Sequence, residues 1–342
     1  MFYFFLFILA SLAFNKLIIK NNFFLDNVNF SKHKNFTTSA LRIPFSAGFL
    51  LIIFFFFFNS DFKLFSLTLI LIIFLSGFLS DIFKNFSPLI RLLIQILTSY
   101  LFITFNNISI IDTRLDLIDD LFKNYEYLSI LFTIFCIIVL INGTNFIDGV
   151  NINVIGYYTI IFSIIYYICI SHNIIIDFNF LIKLIIFLLF LLILNINNKT
   201  QLGDGGSYLL AFFTSIYLIQ IVNNNSIITP YFIILLLWYP CFENLFSIIR
   251  KTYQKKKISA PDNYHLHQLI FLLLKRKKIQ NPNNLSGSII TIYNLCIFLF
   301  SVQYLNNTKI ILLIISMNIL LYIYLYNKLI IRLMLNKGNF KK

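Results

Sequence analysis

The residues of this sequence that can do chemistry come in five short polar islands set between long apolar runs. In residues 142–151, NGTNFIDGVN, Asn145 and Asp148 lie three apart, so on a helix they share a face, and Asn151 continues it. A carboxylate at the end of an apolar helix is costly without a cation or hydrogen-bond donors. In residues 202–210, LGDGGSYLL, Asp204 stands among Gly203, Gly205 and Gly206, and Ser207 leads into a helix. Glycines let backbone N–H groups face a phosphate, a helix N-terminus favours an anion, and the carboxylate suits Mg²⁺. The GxxxxGK spacing of a P-loop is absent. Ser80 and Asp81 end a third apolar run. His265 and His267 follow Asp262 and Asn263. Two histidines without further Cys or His do not make a structural zinc site, and they suit hydrogen bonds to phosphate. Lys32, His33, Lys34 and Arg42 add positive charge. Each island also has a plainer reading: a helix C-cap, an Asp-Gly turn with a Ser N-cap, an interfacial helix end, a basic loop. Together they describe a site for Mg²⁺, a diphosphate and a membrane-embedded lipid.

The elements that must carry these islands are helices in a membrane. Of 342 residues, 59% are hydrophobic and 12% charged, whereas a soluble domain carries about 25% charged residues. The apolar runs have no period-two alternation, which excludes a β-barrel. We expect about 10–11 transmembrane helices in one all-α domain, residues 1–342, near 2–19, 43–58, 64–79, 89–105, 127–141, 152–170, 178–196, 208–222, 227–249, 288–304 and 310–333. The fifth and eighth are short, about 22 Å each. The first reads as a retained helix rather than a removed signal peptide. Residues 265–278, HLHQLIFLLLKRKK, suit a short amphipathic helix at the surface. The four cysteines stand singly in apolar runs and read as buried small hydrophobes. The Phe54–Phe58 run reads as apolar filling.

Lys and Arg set the orientation. With the N-terminus outside, 22 of the 27 lie on the inner side, and Asp112, Asp116, Asp119, Asp120 and Glu126 fall outside. The C-terminus and all five islands then face the cytoplasm, with candidate active-site loops near 20–42, 80–88, 142–151, 195–207 and 250–287. The net charge of +14 follows from this sidedness, and no basic domain outside the membrane points to nucleic acid.

At these residues the chain resembles the polyprenyl-phosphate N-acetylhexosamine-1-phosphate transferase family. NFIDGVN is similar to its N-x-x-D-G-x-D, LGDGGS to its G-D-x-G-S, and HLHQL to its H-x-H-H-L. GFLSDIFKNFSPLIRLLIQ is similar to its Asp-Asp segment and the Ser-Pro helix that follows. The motifs stand in the family's order from Lys32 to about Leu274. The resemblance implies ten or eleven membrane helices in a bacterial inner membrane and Mg²⁺, with Mn²⁺ as the alternative ion. It implies transfer of a sugar-1-phosphate from a UDP-sugar to polyprenyl phosphate, the first step of a surface glycan such as O-antigen. It places Asp204 and Asp148 on the metal, Asp81 on the lipid phosphate and His265 and His267 on the diphosphate. Asn145, Asn151, Ser80, Lys34, Arg42, Gly205 and Ser207 become substrate contacts. Ser80, Asn151 and Gln268 depart from the family, which has Asp, Asp and His there. The competing readings are a catalytically degenerate relative acting as an assembly partner and a transporter or lipid flippase.

Overall fold

A computed structural model of the chain describes residues 2–24, 43–58, 63–83, 85–257 and 264–338. They form helices α1 (Phe2–Asn21), α2 (Ser46–Phe58), α3 (Leu64–Ile82), α4 (Pro88–Asn106), α5 (Asp116–Asn124), α6 (Glu126–Ile147) and α7 (Asn153–Ser171). There follow α8 (Phe178–Ile196), α9 (Gly203–Asn224), α10 (Pro230–Leu236), α11 (Trp238–Tyr253), α12 (Leu266–Arg276), α13 (Pro282–Ser301) and α14 (Thr308–Gly338). The described residues contain no β-strand.

Every apolar run expected to be helical is helical, but the count of spans changes. Among the described residues nine helices are long and apolar enough to cross a membrane, ten if α10 and α11 together make one broken span. Helix α2 has 13 residues, about 20 Å against a hydrocarbon core of about 30 Å. The run at 227–249, expected to be continuous, is bent by 72° between α10 and α11. Pro240 explains the bend. It has no N–H for the carbonyl four residues earlier, and its ring crowds that carbonyl. The carbonyl belongs to Leu236, and it accepts instead from the Tyr157 hydroxyl on α7 at 2.8 Å. A buried backbone acceptor is thereby satisfied across the bundle.

Helices α6 and α9 are longer than expected, 22 residues each, because their polar motifs are helical rather than loops. Glycines make this packing possible. A Cβ on Gly77 of α3 would come to 2.5 Å from the Asp204 carbonyl and the Gly205 nitrogen. One on Gly206 would approach the Gly48 Cα of α2 to 2.6 Å. One on Gly143 would run into the Pro240 carbonyl of α11. Helix α9 is the hub, with 78% of its spanning window buried.

The five-phenylalanine run divides by helix periodicity. Phe54 and Phe55 are buried, whereas Phe56 and Phe57 are exposed. Phe54 stacks on Phe187 with centroids 4.9 Å apart, and Phe55 lies 4.4 Å from Phe213. Of the cysteines, Cys169 is buried, Cys136 and Cys241 are half-buried and Cys296 is exposed, so the expectation of burial holds only in part.

Both ends of the bundle are stitched by polar side chains. At one end Ser46 donates to Asn15 at 2.5 Å and pairs with Thr200 at 2.7 Å, joining α1, α2 and the turn before α9. At the other, Asn223 donates to the Ser109 carbonyl at 2.7 Å, and Arg114 donates to the Ser226 carbonyl at 2.7 Å. That far end also carries α5, which buries none of its residues. The polar islands within the described residues all sit at the first end.

Candidate active site

The site begins at the N-terminus of α9, whose first N–H groups have no partner within the helix. Asp81, at the end of α3, supplies one. Its carboxylate accepts from the Asp204 N–H at 3.0 Å and the Gly205 N–H at 3.2 Å. An anion is favourable there on electrostatic grounds as well. The N–H of Gly205, read from the sequence as part of a phosphate cradle, is therefore engaged by a carboxylate of the chain itself. Gly203 has φ of +73°, and a Cβ on it would lie 2.7 Å from Asp81 Oδ2, so this turn requires glycine. The Ser207 hydroxyl donates back to the Gly203 carbonyl at 2.7 Å and is buried.

The Asp204 side chain meets α3 and α4. Its Oδ2 accepts from Arg91 Nη1 and from the Ser80 hydroxyl, each at 3.1 Å. Arg91 also donates to Ser80 at 2.8 Å and to the Tyr208 hydroxyl at 3.1 Å. Ser80, where the family carries an acid, thus lies between a guanidinium and a carboxylate. Arg91 was absent from the sequence-derived site. The signal was available: a cation inside an apolar helix, one turn after its Pro88 start, marks a pairing or binding role by its cost alone.

The end of α6 adds Asn145 and Asp148. Asn145 is buried, with its side chain in hydrogen-bonding relation to Tyr208. Asp148 is the C-cap of α6 and is also buried. The shared face stops there, because the helix ends and the chain turns into α7. Asn151 leaves that face. Its amide donates to Asn198 Oδ1 at 2.7 Å and to Asn284 Oδ1 at 2.9 Å, and its N–H donates to Asn283 Oδ1 at 2.8 Å. It fastens α7 to the end of α8 and the start of α13. The fastening holds Ile152 at φ of +72°, which for a β-branched residue costs about 1–3 kcal/mol.

Helix α12 brings the histidines. His267 is fully buried and lies so close to Gly149 that a Cβ there would collide with its Nε2. The imidazole therefore packs on the backbone beside Asp148. His265 stacks on His267 with centroids 5.8 Å apart and planes at 7°, and lies 5.2 Å from the Phe146 ring. Gln268, the departure from the family's third histidine, accepts from the His265 N–H at 3.1 Å and caps α12. Lys251 of α11 sits 5.6 Å over Phe146 and is buried, a further cation that the sequence reading did not single out. Glu243 of α11, also not singled out, pairs with His265.

The structure thus gathers Ser80, Asp81, Asn145, Asp148, Asp204, His265 and His267 at one end of the bundle, with the last turn of α6 between the α9 group and the α12 group. Gly205 and Ser207 are present but committed to packing and backbone bonds. Lys34 and Arg42, with Lys32, His33 and Asp262, lie outside the described residues. Among the described residues no three His, Cys, Asp or Glu side chains group closely enough to hold a metal by themselves.

An all-helical, multi-pass membrane protein with a polar site at one end is the class that this architecture defines. Residues 63–222 match the model of glycosyl transferase family 4. A stretch of 140 residues is 32% identical to a protein of Bacillus subtilis (strain 168) named "Probable undecaprenyl-phosphate N-acetylglucosaminyl 1-phosphate transferase". That stretch is 40% of this chain and 38% of the length of the relative. The family match contains the Asp81, Asp148 and Asp204 motifs and ends before the histidines.

Proposed function

We propose that this chain transfers an N-acetylhexosamine-1-phosphate from a UDP-sugar to a polyprenyl phosphate and releases UMP. The observation that carries the reading is the convergence of Asp204 with Arg91, Asn145, Asp148 and the stacked histidines at one end of a helical membrane bundle. The family match and the name of the relative support it.

The acceptor needs little general-base help. A phosphate monoester has its second pKa near ~6, so its oxygen is largely ionised at neutral pH. That oxygen attacks the β-phosphorus, the bond from that phosphorus to the bridging oxygen breaks, and the electron pair leaves with UMP. The difficulty is to gather three phosphate groups in one place, and the residues present address charge rather than proton transfer. Arg91 and Lys251 offset negative charge. His265 and His267 offer ring N–H groups to the diphosphate, and Asn145 orients it. Asp81 positions the start of α9, and with it Asp204, through its two backbone bonds. Asp204 and Asp148 would hold Mg²⁺. Two carboxylates suit an ion that is otherwise ligated by substrate phosphates and water, so no closed protein cage is required. When bound, the ion supplies electrostatic stabilisation of the phosphoryl oxygens. The site would face the cytoplasm of a bacterial inner membrane, and the product would start a surface glycan.

Purified protein with Mg²⁺, undecaprenyl phosphate and a panel of UDP-N-acetylhexosamines should release UMP. No release from any of them would overturn the reading in favour of an inactive relative, which the departures at Ser80 and Asn151 motivate.

Sidedness has its own test. The Lys and Arg distribution puts α5 outside, and Asn124 at its end is exposed. A cysteine introduced as Asn124→Cys should react with an impermeant maleimide on intact cells. Labelling that needs lysis would reverse the orientation.

The two departures should behave differently when the family's acids are restored. Ser80→Asp adds a carboxylate between Arg91 and Asp204, so it should lower the Mg²⁺ concentration needed for half-maximal activity. Asn151→Asp removes the donor to Asn198 and Asn284, and the Asn284 amide is already committed to the Ile196 carbonyl at 3.0 Å. The new carboxylate would face the oxygens of exposed Asn198 and half-buried Asn284, acceptor against acceptor, so this variant should melt at lower temperature with no gain in Mg²⁺ response. An unmoved Mg²⁺ titration in Ser80→Asp would show that position 80 has no part in metal binding.

A further inference from the structure

Glu243 is an acid inside an apolar helix, fully buried, seven residues before Arg250 of α11. Such a residue is costly in a membrane unless its partner is fixed. Its Oε1 lies 3.0 Å from His265 Nδ1, and its side chain and that of His265 are 1% and 5% exposed. Tyr239 and Tyr322 face the same carboxylate from α11 and α14. The bend at Pro240 starts α11 against α6, where Gly143 abuts the Pro240 carbonyl, and so brings Glu243 under α12. An ionised carboxylate only accepts hydrogen bonds, so the ring nitrogen facing it must carry a proton. The other nitrogen, Nε2, is then the one left for a ligand, and it donates to a phosphate oxygen when it too carries a proton.

We infer that Glu243 is a positioning residue, which fixes His265 with its proton on Nδ1 and so orients both stacked histidines toward the diphosphate. The inference rests on the transferase reading. His265 alone could rotate about its side-chain bonds. Held by Glu243 on one side and flanked by Phe146 and His267, it has one orientation. Because His267 lies parallel to it and packs on Gly149, the same tie holds the second ring beside Asp148. Replacing the partner that orients a metal-bound histidine costs about 10–100-fold in activity, and a loss of the same order is expected for this phosphate-facing ring.

The test uses full-length protein in nanodiscs labelled with ¹⁵N-histidine. The chain has four histidines, so the ring signals can be assigned with single His→Gln variants. In the wild type, His265 should carry a proton on Nδ1. Glu243→Gln keeps the volume, but its carboxamide can present either an acceptor or a donor. It should mix the ring's protonation states and lower kcat about 10–100-fold, with KM for the UDP-sugar within about twofold. A purely structural role would lower the yield of folded protein without changing where the proton sits. Wild-type His265 protonated on Nε2 alone, or Glu243→Gln with wild-type kcat, would overturn the inference. Wild-type protein that releases no UMP would overturn the transferase reading instead, and the position of the ring proton would still decide whether Glu243 sets it.

Discussion

Asp204→Asn is expected to lower UMP release by on the order of 10³-fold while the protein stays folded. The two side chains have the same shape, and an Asn oxygen can still accept from Arg91 and Ser80, which both reach Oδ2 at 3.1 Å. The bonds from the α9 N-terminus to Asp81 are made by backbone and survive the change. What disappears is a negative charge where, on the proposed transferase reading, a cation is held against a diphosphate. A 10³-fold loss corresponds to about 4 kcal/mol of transition-state stabilisation, within what one metal contact supplies. UMP release across a Mg²⁺ titration, alongside a thermal melt, measures both halves of the expectation. Turnover near the wild-type rate at ordinary Mg²⁺ would remove Asp204 from the metal site.

Gly149→Ala should lower kcat about 10²-fold with little change in the backbone. Gly149 does not have a positive φ, so alanine is compatible with the turn itself. The conflict is with a side chain, since the new Cβ would collide with His267 Nε2. His267 is fully buried, so its ring has little room to retreat, and a displacement of about 1 Å at a reacting centre costs roughly this much. Overpacking costs about 1–3 kcal/mol in stability as well. Gly149→Ala combined with His267→Ser should regain the melting temperature but not the rate. A single variant with unimpaired UMP release would show that the contact between His267 and the Asp148 turn is not needed for the reaction.

Much of the fold is legible from local pattern. The expected helix at 178–196 coincides with α8, and the helix expected in 265–278 is α12, although much of it is buried rather than at the surface. Hydrophobic runs are read residue by residue against a bilayer, and a helix satisfies its own backbone there whatever surrounds it. That logic fails at the 227–249 run, where a single proline redirects the chain and a hydroxyl on α7 completes the broken ladder. It fails again at the ends of α6 and α9. Polar, glycine-containing motifs read as loops are helical there, because neighbouring helices press on the glycines.

The sequence by itself determined the membrane architecture, the collection of polar islands at one end and the candidate acids Asp81, Asp148 and Asp204. Only the tertiary structure decided what each of these side chains meets. Ser80 meets Asp204 across 124 residues of chain, and Asn151 meets Asn284 across 133. Asp81 occupies the N–H groups that a phosphate was expected to take, Asn151 fastens α7 to α8 and α13, and Arg91 and Glu243 pair with Asp204 and His265. Helix formation and membrane insertion depend on neighbours three or four residues away and on hydropathy, both written locally. The partner of a buried polar group depends on which helix faces it and how closely glycine lets that helix approach, and no local pattern carries that information.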